Sequence, residues 1–276
     1  VTVSFRRSGR GPGALLLHGI GSSAASFAPQ LDALGDVLTM VAWDAPGYAG
    51  SPDPARPPGL DGYVEEAAAL MRAELGPGPA HLVGVSWGGV IALRLAATRP
   101  GLVRSLTVIG ASLGSGTDPE RAARMRERPA ELARLGPTGF ARERGPRLLS
   151  PGARPELVET VVATMAGAVR LPGYSAAAEA MAAADLSGDI ARISAPTLVL
   201  AGAEDTVTGP ERAREIAAGI PGAALVTVPG AGHLANQERP AIVGAWLRAF
   251  TRLAADLAAD LTTATSAAGN ERKEVP

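Results

Sequence analysis

Gly84-Val85-Ser86-Trp87-Gly88-Gly89 sets a serine among glycines, directly after the apolar run His81 to Val85 and directly before a helical pattern. A strand that turns sharply into a helix lifts the residue at the turn clear of both, and its neighbours must be small for the chain to bend so tightly. That context makes Ser86 a candidate nucleophile. A serine hydroxyl attacks poorly until a base removes its proton, and the base needs an acid to orient it. Three histidines are present. His81 lies early in the strand leading to Ser86 and reads as packed there. His18 follows the run Ala14 to Leu17, in a turn where its backbone counts for more than its ring. His233, in Gly230-Ala231-Gly232-His233 after the last apolar run, is the candidate general base. The acid is expected between Ser86 and His233 in the chain, at the C-terminal end of a strand. Ala201-Gly202-Ala203-Glu204-Asp205 meets that requirement, with Asp205 turned inward and Glu204 left as a solvated charge. Asp118, farther past the run ending at Ile109, is the alternative acid.

A carbonyl under attack gathers negative charge on its oxygen, which two backbone N–H groups can stabilise. Trp87, the residue after the nucleophile, supplies one candidate donor. The loop His18-Gly19-Ile20-Gly21 supplies the other, with Ile20 as the expected residue. Asp44, in Trp43-Asp44-Ala45-Pro46-Gly47, precedes Ser86 and reads as a tie within its own loop, without a chemical role.

These residues need a scaffold that brings distant strand ends together. Short Val- and Leu-rich runs predict strands at Thr2 to Phe5, Ala14 to Leu17, Val37 to Trp43, His81 to Val85, Leu102 to Ile109, Thr197 to Ala201 and Ala224 to Val228. Helical patterns at Tyr63 to Leu75, Gly88 to Ala97, Pro210 to Ala218 and Gln237 to Ala255 alternate with them. Every helix but the last ends near glycine or proline. The alternation predicts an α/β fold, a mostly parallel sheet with helices on both faces. From about Ser115 to Ala184 no strand is evident. Pro129, Pro137, Pro146, Pro151, Pro155 and Pro172 are expected to cut this stretch into short helices that roof the C-terminal edge of the sheet, where ligands bind in open α/β folds. The division expected is a core of residues 1–114 and 185–261, a helical cap of 115–184 and a frayed polar tail of 262–276.

Composition narrows the possibilities. The chain has 276 residues, 46% of them hydrophobic, enough for one full core. Its net charge is −1, and Lys273 is the only lysine, the arginines being interleaved with acids; this speaks against nucleic acid as a partner. The lack of cysteine excludes disulfides, thiolate metal sites and a cysteine nucleophile. No metal or cofactor motif is evident. No apolar run approaches the length needed to span a bilayer and no signal-like start is visible, so a soluble, cytoplasmic protein acting on a small molecule is expected. The first residue is Val1 rather than methionine, which leaves room for an edge strand upstream. Rich use of Ala, Gly and Arg suggests a high-GC bacterial genome.

His18-Gly19, the turn Asp44 to Ser51, the Ser86 motif, Gly202 to Asp205 and Gly232-His233 together resemble the α/β-hydrolase superfamily over almost the whole chain. Gly173-Tyr174-Ser175-Ala176-Ala177, Ala184-Asp185-Leu186 and Ala195-Pro196-Thr197-Leu198-Val199 resemble 3-oxoadipate enol-lactonases within it. That resemblance implies a catalytic triad on Ser86, Asp205 and His233 and hydrolysis of a small lactone, without a cofactor. One departure is Arg142-Glu143-Arg144-Gly145-Pro146, where an Arg-Trp-Phe-like segment is expected. A second resemblance, through the Ser86 motif and Gly19-Ile20-Gly21, is to intracellular polyhydroxyalkanoate depolymerases. A general carboxylesterase and a carbon–carbon bond hydrolase share the scaffold, as does a ligand-binding receptor with little or no turnover. The enol-lactonase resemblance also implies a substrate carboxylate, for which the guanidinium fork is suited; Arg142, Arg144 and Arg147 are the candidates in the roof.

Overall fold

The computed structural model describes residues 3–271. Seven strands form one sheet: β1 Phe5–Gly9, β2 Gly13–Leu17, β3 Thr39–Trp43, β4 Ala80–Val85, β5 Val103–Ile109, β6 Thr197–Gly202 and β7 Ala224–Val228. Their spatial order is β1-β3-β2-β4-β5-β6-β7. Only β1 runs antiparallel, pairing Phe5 with Trp43. Each parallel strand must be reached by a crossover, and the helices that make these crossovers cover both faces of the sheet. In chain order the helices are α1 Ala28–Leu34, α2 Gly59–Leu75, α3 Trp87–Thr98, α4 Pro119–Arg144, α5 Pro155–Ala168, α6 Gly173–Ala183, α7 Gly209–Gly219 and, after the last strand, α8 Ala235–Glu238 and α9 Pro240–Glu271.

Alternation along β2 shows how two cores arise from one sheet. Leu15 and Leu17 pack on one face with α2, α3 and α7, whereas Ala14 and Leu16 pack on the other with α1 and α9. Every residue of β4 and β6 is buried, as expected of strands covered on both faces.

The first strand lies later than Thr2 to Phe5. It needs only one partner and exposes Arg6 and Arg7 at the sheet edge, so it has no continuous apolar run. The helix expected from Gln237 to Ala255 is divided after Arg239, because Pro240 has no N–H to continue α8 and instead opens α9. Helix α9 continues to Glu271, so the backbone of 262–271 is helical; the remainder of the expected tail lies outside the described residues.

Between β5 and β6 the chain makes α4, α5 and α6 and no strand. An antiparallel bridge between Gly114 and Asp185 draws the two ends of this insert together. Pro129 sits inside α4 without ending it. The break comes instead at Gly136 (φ 66°, ψ 168°), just before Pro137, whose ring disfavours helical geometry in the residue ahead of it.

Candidate active site

Ser86 is the hinge between β4 and α3, with φ 53° and ψ −115°, a backbone conformation that side chains other than glycine rarely adopt. Its N–H donates to Ile109 O at 2.8 Å, which fixes the turn against β5. The flanking glycines are demanded by close approach. A Cβ on Gly84 would lie 2.4 Å from Gly88 O, and one on Gly88 would lie 2.1 Å from Leu17 O. The half-buried Ser86 lines a cavity of about 760 Å³ together with His233.

His233 follows β7 and Asp205 follows β6, and the two loops are stitched together. Glu204 N–H donates to Ala231 O at 2.9 Å, and Gly202 abuts the backbone of Ala231 and Gly232 so closely that no side chain would fit. His233 Nδ1 lies 3.0 Å from Asp205 Oδ2, with both side chains buried. Asp205 also accepts from Thr208 Oγ1 at 2.7 Å and from the N–H groups of Val207 and Thr208 at 2.8 and 3.1 Å. Burial pushes the Asp205 carboxyl up, but these bonds, the one from His233 foremost, outweigh it and hold the group far below the usual carboxylate range. An ionised Asp205 accepts from Nδ1–H, leaving His233 Nε2 as a bare acceptor. Thr208 is not flagged by any motif; its place three residues after Asp205 is the only hint. Glu204 stays exposed at the cavity rim. Asp118 instead caps α4, accepting from Arg121 N–H at 3.0 Å.

Neither Ile20 N–H nor Trp87 N–H meets a protein acceptor among the described residues. Trp87 opens α3, where the helix dipole also favours negative charge. Here the ring of His18 counts for more than its backbone alone, contrary to expectation. His18 Nε2 accepts from Ala45 N–H at 3.0 Å, so Nδ1 carries the proton and donates to Gly19 O at 2.8 Å. That carbonyl belongs to the peptide whose N–H is Ile20's, so the ring orients the donor. Burial pushes the His18 pKa down to about 4, against smaller opposing effects of the Gly19 carbonyl and Asp44, and keeps the ring neutral. Asp44 Oδ1 accepts from Ala24 N–H at 2.8 Å, so it ties the loop after β3 to the turn after β2 rather than acting within its own loop. His81 is packed within the sheet, 2.8 Å from Ser105 Oγ.

The insert forms much of the cavity wall. Arg144 and Arg147 line it, whereas Arg142 is exposed and lies outside it. Arg144 is engaged already: its Nε donates to Glu131 at 2.9 Å and its guanidinium lies 5.1 Å from the centre of the Phe140 ring. Arg128, which the sequence pattern does not distinguish from other charged residues of α4, also lines the cavity. Glu238 clips this wall to the loop that bears His233. Its Oε1 accepts from Gly232 N–H at 2.7 Å and its Oε2 from Ser150 N–H at 2.9 Å, while Leu234 N–H donates to Leu148 O at 3.2 Å.

A strained serine-bearing turn after β4 and a His–Asp contact across the ends of β6 and β7 accompany a match of residues 14–262 to the model of the alpha/beta hydrolase family. The chain belongs to this family. Among alpha/beta hydrolases it is 28% identical to 3-oxoadipate enol-lactonase 2 of Acinetobacter baylyi, over 83% of this chain and 84% of that one. It is 27% identical to a poly(3-hydroxyalkanoate) depolymerase of Ectopseudomonas oleovorans, over 80% and 77%. It also resembles, at 30% identity over 82% of its length, a stretch amounting to 11% of the polyketide synthase ThaQ of Burkholderia thailandensis. The malate-bound structure of a thermophilic esterase from Thermogutta terrifontis superposes with a TM-score of 0.84 at 27% identity, covering 91% of this chain and 93% of the other. Both resemblances read from the sequence are thus found among alpha/beta hydrolases. Among the described residues, no helix is long and apolar enough to cross a membrane.

Proposed function

We propose that this alpha/beta hydrolase is a serine hydrolase of carboxylic esters or lactones, with Ser86 as nucleophile, His233 as general base and Asp205 as the acid that orients it. One observation carries the reading: a serine in a strained turn shares a cavity with a histidine whose Nδ1 is held by a buried carboxylate at 3.0 Å. In this reading Ser86 Oγ attacks the substrate carbonyl as its proton passes to His233 Nε2. The oxyanion accepts from the free N–H groups of Ile20 and Trp87. Collapse of the tetrahedral intermediate breaks the bond to the alkoxy oxygen, which leaves with the proton from His233. Water then attacks the acyl-enzyme, giving its proton to His233, which returns it to Ser86 Oγ as the acid product is released. Residues 115–184 serve as the roof that selects the acyl group. The names of the enol-lactonase and the esterase among the relatives support this class of reaction. The test is a fluorophosphonate probe with mass-spectrometric mapping of the adduct. Labelling of Ser86 that disappears in Ser86→Ala is the expected result; an unlabelled Ser86 in folded, cavity-competent protein overturns the reading.

A further inference from the structure

The walls of the cavity describe its occupant. Its volume of about 760 Å³ belongs with sites that enclose drug-sized ligands, roughly 300–1,000 Å³, and a small lactone would leave most of it empty. Leu148, Leu149, Val158, Val161 and Met165 make a long apolar side. The charges are unbalanced. Three guanidinium groups, of the half-buried Arg128 and Arg144 and the exposed Arg147, line the cavity against one carboxylate, the exposed Glu204. Arg144 is paired with Glu131, and Arg126, outside the cavity, with Glu179. Among the described residues no carboxylate pairs with Arg128 or Arg147.

Arg128 is half-buried on α4 and lines the cavity together with Tyr174, a buried residue of α6. Burial keeps that phenol protonated against the opposing pull of Arg128 and Arg144, so its O–H can donate. Tyr174 also locates this cluster relative to the nucleophile. Its ring is 6.5 Å from that of Tyr48, which is 5.8 Å from that of Trp87, the residue bearing one of the free N–H groups. Arg128, Arg147 and Tyr174 thus line the same cavity as Ser86 and His233, with the apolar wall alongside.

We infer that the site takes an elongated ester whose far end is a carboxylate, held by Arg128 and Arg147 with the Tyr174 hydroxyl as a third donor. This rests on the serine-hydrolase reading and names its substrate class. A planar carboxylate can take two parallel N–H bonds from one guanidinium, and such charge-assisted bonds are stronger than those between neutral groups. A neutral ester of equal length leaves both cations without a partner.

The experiment compares the monomethyl ester of suberic acid with its dimethyl ester, and the monomethyl ester of malonic acid with its own diester. The wild-type enzyme is expected to favour the suberate half-ester over the diester by tenfold or more in kcat/KM, after allowing for the diester's two equivalent sites, and to show no such preference in the malonate pair. Arg128→Gln, which keeps much of the side chain's length, and Arg147→Ala should each bring the suberate ratio close to one, chiefly by raising KM for the half-ester. Arg142→Ala, outside the cavity, should leave the ratio as it was. Suberate itself should inhibit diester hydrolysis competitively in the wild type and much less in Arg128→Gln. Equal rates on the two suberate esters in the wild type, or an undiminished ratio in both cavity variants, overturn the inference. Failure of the serine-hydrolase reading looks different: neither ester is cleaved and Ser86 is not labelled.

Discussion

Replacing Asp205 by asparagine tests the orienting acid with almost no change of volume. The carboxylate uses all its acceptor capacity: Oδ1 takes the N–H groups of Val207 and Thr208, and Oδ2 takes Thr208 Oγ1 and His233 Nδ1. An asparagine can keep the first pair only by putting its carbonyl there, which points its NH₂ at His233. Nδ1 must then become the acceptor, and the proton moves to Nε2, where it faces the nucleophile. The imidazole is held in the wrong tautomer and cannot take the Ser86 proton. A loss of this kind costs about ten-thousandfold in kcat, equivalent to about 5.4 kcal/mol at 1.36 kcal/mol per decade. The assay is steady-state hydrolysis of a neutral nitrophenyl ester, with circular dichroism and a thermal melt to show that the variant folds. KM should move little, because no substrate contact is lost. A folded Asp205→Asn enzyme within tenfold of wild type would refute the assignment, as would Asp118→Asn proving the more damaging change.

Three further outcomes follow from the same geometry. His18→Ala should lower kcat by roughly a hundredfold or more, the cost of one misaimed oxyanion donor, with KM nearly constant; an unchanged kcat would show that the Gly19–Ile20 peptide holds its orientation without the ring. Conformational stability should fall as the solution is acidified from pH 6.5 to 4. Burial pushes both His18 and His81 down to about 4 from an ordinary value of 6.5, so between these values the unfolded chain binds their protons and the folded one does not. Stability is thus complete above pH 6.5 and is lost downwards by at most about 1.4 kcal/mol per pH unit for each ring, which urea midpoints at pH 7.5 and 4.5 would register. His81→Leu should flatten that slope, and identical midpoints at the two pH values would contradict it. Glu238→Gln should slow labelling of Ser86 by a phosphonate, since an amide oxygen cannot take both N–H groups that the carboxylate now joins; a labelling rate equal to wild type in the folded variant would show that the clip does not position His233.

The parts of this molecule that could be read from sequence are those that local chemistry dictates. Ser86 announces itself because a tight strand-to-helix turn needs glycine at 84 and 88, Asp205 because it follows the fully buried apolar run of β6, and His233 because it follows the last apolar run, β7, although that strand lies at the sheet edge with only Val228 buried. Strand β1 escapes the same logic, since an edge strand bearing Arg6 and Arg7 carries no such run. Pro129 shows the limit of reading proline as a break: α4 absorbs it and yields at Gly136 instead. The cavity-lining arginines of the insert between β5 and β6 were beyond sequence for a geometric reason. Successive positions on a helix differ by about 100° in direction, so Arg142 faces solvent while Arg144 faces the cavity. Arg128 becomes distinctive only once α4 packs on α6 and brings it to Tyr174. His18 looked like turn material because the partner of its Nε2, Ala45 N–H, lies 27 residues away in the chain.

The Glu238 carboxylate, shared between Gly232 and Ser150, limits how freely this fold can exchange parts. A roof transplanted from another hydrolase must present a backbone N–H where Ser150 now offers one, and a proline at that position would leave half of the carboxylate unmatched. Such a chimera could gain a new acyl pocket and still turn over slowly, because the mismatch falls on the loop that carries His233. Recombination at the Gly114–Asp185 bridge therefore needs a compatible residue 150, and libraries built from roof and core should be screened as linked pairs of that residue with position 238.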